Sequence, residues 1–151
     1  MKTEQQNLLD RALTAIRAAE AGPTDEDLAA APVLELWRPL ANVHAAVVLW
    51  GQVSGHPRIG ASTITTSRLI ALDRQAGWAR TYSRWYRLGE PFSEFEADVA
   101  RDLKISEARK GFVSFELAGF VAVDDDNLVD RLLAAFIAHV QNAAIENRVK
   151  H

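Results

Sequence analysis

The stretch GWARTYSRWYRLGEP, residues 77–91, sets Trp78, Tyr82, Trp85 and Tyr86 beside Arg80, Arg84 and Arg87, and its secondary structure decides how the middle of the chain folds. Two geometries compete. Wound as a helix, the aromatics form a single stripe, with Gly89 as a C-terminal stop and Pro91 beyond it. Folded as a hairpin about Ser83 and Arg84, Tyr82 faces Trp85 and Arg80 faces Arg87 on one side, while Thr81 meets Tyr86 and Ala79 meets Leu88 on the other. Ser-Arg is a poor two-residue turn, yet the stretch follows a Thr-rich, β-branched segment that a meander would continue. The expectation is therefore strands over 78–82 and 85–88.

Outward from that hairpin, residues 63–72 (TITTSRLIAL) suit a strand. Residues 44–53, apolar on both alternating faces, suit a central one. Towards the N-terminus, Leu9, Ala12, Leu13 and Ile16 recur at helical intervals and Gly22-Pro23 ends the element, predicting a helix over 3–21. Thr24, followed by Asp25, Glu26 and Asp27, reads as a cap with acids in the first turn. Val33, Leu36, Trp37 and Leu40 then keep an inward helical stripe, so a helix or two short ones is expected over 24–38. Towards the C-terminus, Ser93 with Glu96 caps a helix over 93–103. The segment 106–119 fits a helix and a strand almost equally and is read as helix. Leu128, Leu132, Phe136 and Val140 mark a long amphipathic helix over 125–147. These elements predict a single α+β domain, residues 1–151, in which a small antiparallel β-meander packs against N- and C-terminal helices.

With 151 residues, 48% of them hydrophobic, the chain is long enough to bury one substantial core. There is no cysteine, which excludes disulfides, thiolate metal sites and a cysteine nucleophile and fits a reducing compartment. No uninterrupted run of eighteen apolar residues is found and the charged start has no apolar signal core, so a cytoplasmic protein without a membrane partner is expected. The net charge of −3 is uneven: −3 over residues 1–50, +4 over 51–90, −6 over 91–130 and +2 over 131–151. A basic centre between acidic flanks predicts pairing between layers or a bipolar surface.

Catalytic and metal chemistries find little support in the residues. His44, His56, His139 and His151 include no pair at ligand spacing, and Asp124, Asp125 and Asp126 lack the alternation of a calcium loop and read as helix capping. The Gly51 to Gly55 turn has no Lys-Ser/Thr after it and no helix to open. Ser54, Ser67 and Ser83 have no nucleophile-elbow context. No cofactor, metal site or enzymatic activity is expected.

The strings Gly55-His56-Pro57-Arg58, Thr66-Ser67, Leu72-Asp73 and GWARTYSRWYRLG resemble a block shared by an uncharacterised family of short alphaproteobacterial proteins, a domain of unknown function. The resemblance implies a bacterial, cytoplasmic setting with phage or plasmid association. It brings no activity, cofactor or catalytic residue.

What remains is the aromatic-basic cluster. On a hairpin, Trp78, Arg80, Tyr82, Trp85 and Arg87 share a face, with Arg84 at the turn, and such a face can anchor a protein partner or stack bases while arginines meet phosphate. The same residues also serve a small core, the more common use of such a cluster, with Arg laid flat over indole. The acidic composition overall ranks a protein partner above nucleic acid. The expected function is a noncatalytic interaction protein, accessory or regulatory, with a nucleic-acid module or an acidic inhibitor of a bacterial defence complex as alternatives. The C-terminal helix leaves homodimerisation open.

Overall fold

The computed structural model describes residues 3–55, 62–102 and 118–150. Within them the elements run α1 (Glu4–Ala21), α2 (Asp25–Ala30), β1 (Val33–Asn42), β2 (Val47–Ser54), β3 (Ser62–Thr65), β4 (Leu69–Asp73), β5 (Trp78–Thr81), β6 (Trp85–Leu88), α3 (Phe92–Asp102), β7 (Phe120–Ala122) and α4 (Asp126–Lys150). The α+β class stands.

α1 and α2 begin at reciprocal capping boxes, Thr3 with Gln6 and Thr24 with Asp27, and Gly22 at φ +80° ends α1. The expected helix over 24–38 is corrected: α2 stops at Ala30, and residues 33–42 form β1, the strand on which the sheet is assembled. β1 is bulged. Glu35 pairs with Gln52 and Arg38 with Trp50, so Leu36 and Trp37 together oppose Gly51, with Leu36 at φ +53°.

The strands follow the order β3-β2-β1-β6-β5-β4, with β7 also on β1. Every pairing is antiparallel except β1 with β6, which is parallel. Two meanders, β1-β2-β3 and β4-β5-β6, are thus joined side by side. The strand expected over 63–72 is two strands, on opposite ends of that order. The break is at Thr66, whose Oγ1 accepts from Leu49 N at 3.0 Å and donates to Ser67 O at 2.7 Å, drawing the chain off the ladder. Only residues 66–68 connect the outermost strands. Such a link spans about 14 Å at most, whereas the edges of a flat six-strand sheet lie roughly 24 Å apart, so the sheet is curled with its two edges brought together. The expected start of the central strand at 44 is likewise corrected to Val47: Asn42 Oδ1 accepts from His44 N and Ala46 N, making a tight turn with Ala45 at φ +62°.

Curling creates two cores. Leu34, Trp37, Val47, Leu49, Val53, Leu69, Ala79 and Tyr86 fill the inside of the sheet, closed by Val129 and Leu133 of α4. Outside, Ala12, Ala15 and Ile16 of α1 pack with Ile70 of β4 and Val140 of α4. Leu69 and Ile70, adjacent and both fully buried, therefore serve different cores, as alternation along a strand requires. α3 lies against β1, where Phe92 meets Trp50 edge-on at 5.8 Å and Arg38 stacks over Phe92. The helix expected over 106–119 lies outside the described residues except for Ala118 and Gly119, which form a turn into β7. α4 is, by length and composition, apolar enough to cross a membrane. Asp130 and Arg131, then His139, Gln141 and Asn142, interrupt its apolar residues, which is why no continuous run marks it in the sequence.

Candidate functional site

The stretch at residues 77–91 is a hairpin. Its register differs from expectation: Trp78 pairs with Arg87, Ala79 with Tyr86 and Arg80 with Trp85, so the turn centres on Tyr82 and Ser83. Thr81 sets this. Its buried hydroxyl accepts from Ser83 N and Arg84 N, each at 3.3 Å, while its own N–H donates to Arg84 O at 3.0 Å. A register shift of two residues preserves the faces, so Ala79, Thr81 and Tyr86 point into the inner core and Trp78, Arg80, Trp85 and Arg87 share the outer side.

On that outer side the two indoles stack edge-to-face, centroids 5.3 Å apart and planes at 81°, and the Arg80 guanidinium lies over Trp85 at 5.2 Å. A binding face has to be open to water, and two of the residues expected on it are not. Trp85 is only 8% exposed, because α2 lies across the hairpin and is fastened to it: Arg87 Nε donates to Ala31 O at 3.2 Å and Arg87 N to Pro32 O at 2.9 Å. Tyr82, displaced into the turn, leaves the ribbon for the outer core, where it meets Phe136 and carries Arg11 over its ring. Trp78, Arg80 and Arg84 remain half-buried and Arg87 exposed.

Between α2 and the hairpin runs a cleft of about 530 Å³, lined on one side by Arg80, Ser83, Arg84 and Trp85 and on the other by Glu26, Asp27, Ala30 and Ala31. Burial lowers the Arg80 pKa and the Asp27 carboxylate opposes that shift, yet Arg80 Nε, buried, has no hydrogen-bond partner among the described residues. The acids opposite read in the sequence only as helix caps. The signal that pointed to them is the charge layout, a basic centre between acidic flanks.

The aspartates at 124–126 divide their work. Asp124 makes a two-point pair with Arg38, at 3.0 and 2.7 Å, Asp125 caps α4 through Asn127 N and Leu128 N, and Asp126 joins Asp130 on Arg74. Among the described residues no group of three His, Asp or Glu side chains converges as a metal site. Ser67 and Ser83 bond to each other at 3.0 Å. His44, in the β1–β2 turn, and His139, on α4, are exposed and lie apart in the chain, and His56 and His151 lie outside the described residues.

A family model described as "Family of unknown function (DUF6634)" matches residues 2–148. No curated protein and no solved structure matches the chain.

Proposed function

Since the chain belongs to this family of unknown function over nearly its whole length, its role has to be read from its residues, and we propose that it is a noncatalytic interaction protein that receives a protein partner in the cleft between α2 and the β5–β6 hairpin. The observation carrying this reading is Arg80. A half-buried guanidinium with a buried, unpartnered Nε bears a desolvation cost, and a carboxylate or main-chain carbonyl brought by a partner offsets it. Arg84 and the Ser83 hydroxyl add donors on the same rim. Glu26 and Asp27 on the facing rim favour a polypeptide, with its mixed charges, over a polyphosphate backbone, which those acids repel. An accessory or regulatory role, in the bacterial mobile-element setting the resemblance implies, belongs to the same proposal.

The test is affinity capture from the native host with the wild-type chain against Arg80→Gln and Arg84→Glu, each checked for an unchanged melting temperature. A partner protein captured by the wild type and reduced at least about tenfold by both variants is the expected outcome. An unchanged captured set overturns the reading. Retention on nucleic acid at low salt, with a salt slope that falls by about one per arginine removed, replaces it with the nucleic-acid reading.

A further inference from the structure

α4 buries one side and leaves the other bare. Val129, Leu133 and Val140 face the two cores and Ala144 is buried, yet only 22% of the helix's most apolar window is buried. On the bare side Leu128 and Ile145 are 37% and 57% exposed, and between them Arg131, Ala135, Ala138 and Asn142 are all exposed. The intervals along these six residues are three, four, three, four and three, the spacing of a helix-pairing seam.

This seam reads the same in both directions. A bulky aliphatic stands at each end, a polar residue next to it, and alanine on either side of the midpoint. We propose that the chain forms a two-fold dimer in which α4 packs antiparallel against α4 of a second copy along this seam. Laid antiparallel, Leu128 meets Ile145, Arg131 meets Asn142 and Ala135 meets Ala138, each contact occurring twice, as an isologous interface requires. The alanines at the axis let the backbones approach closely. Charge selects the same arrangement. Glu146 stands one turn beyond Asn142, about 6 Å along the axis, within reach of an arginine from the second copy. Arg131 and Glu146 are both exposed, and neither takes part in an ion pair among the described residues. A parallel copy would set Arg131 against Arg131. A lipid surface fits less well, since Arg131 and Asn142 interrupt the seam.

The experiment is sedimentation equilibrium of the full chain with a charge-reversal cycle. The wild type is expected at twice the 16.7 kDa chain mass. Arg131→Glu and Glu146→Arg each place like charges together and weaken dimerisation by about tenfold or more, with unaltered melting of the monomer. The double variant R131E/E146R restores it. A wild type that stays monomeric to about 100 μM, far above the dissociation constants of specific interfaces, overturns the proposal. So does a dimer indifferent to both single reversals, or one that the double variant fails to restore. A monomer that binds mixed phosphatidylcholine–phosphatidylglycerol vesicles through the same residues assigns the face to lipid instead and likewise overturns it.

Discussion

Trp85 stands on the outward side of its hairpin and is nonetheless 8% exposed, because the backbone of β6 points it at a neighbour that lies far away in sequence. Alternation along a strand assigns a side chain to a face, but whether that face meets water depends on what else the chain lays over it. Here it is α2, tied down by Arg87. The substitution Trp85→Ala opens a cavity under α2 and removes the edge-on contact with Trp78. It is expected to cost about 3–5 kcal/mol in urea unfolding, the range for truncating a buried large aromatic. A loss below about 1 kcal/mol would mean that α2 does not cover the indole. Tyr82 teaches the complementary lesson: one hydroxyl, that of Thr81, pulls the turn back by one residue and sends a tyrosine counted among the binding residues into the packing between α1 and α4.

At the scale of elements, β1 was hidden by its own bulge. A regular strand buries every second residue. Placing Leu36 and Trp37 opposite the lone Gly51 advances the buried set, so Leu34 and Trp37 both face the core at an interval of three and imitate a helical stripe. Gly51 accommodates this geometry: a Cβ there would lie 2.8 Å from Leu34 Cγ and 2.9 Å from the main-chain oxygen of Glu35. A side chain can yield, but the carbonyl is held in the ladder. Gly51→Ala is therefore expected to destabilise by about 1–3 kcal/mol, measured by thermal or urea unfolding, although alanine is the better residue for most backbone positions. The helices, by contrast, were legible because their signals are local. The Thr24 cap and the Gly22 stop act within a few residues of where they stand, and the structure uses both as the sequence suggests.

For the whole molecule, the curled sheet places one tyrosine in each core environment, Tyr86 inside and Tyr82 outside, and α4 contributes to both. Burial raises both phenol pKa values above the ordinary 10.0, opposed at Tyr86 by Arg84 and at Tyr82 by Arg68 and Arg11. A group whose pKa is higher when folded adds stability that is complete below its unfolded value and disappears as pH climbs through the folded one. Stability is thus expected to fall above about pH 10. Tyr82→Phe and Tyr86→Phe should each flatten that fall in urea titrations run from pH 8 to 11, and an unchanged slope in both would remove the tyrosines as its cause. By itself the sequence determined the α+β class, the terminal helices, the hairpin at residues 77–91 and its division into an inner and an outer face, since periodicity, caps and turns are short-range properties. Tertiary structure decided that β1 exists as the strand joining two meanders, that β3 and β4 part to opposite edges, and that an acidic helix covers the aromatic ribbon. Each of those depends on contacts between residues dozens of positions apart, whose energies no local pattern contains.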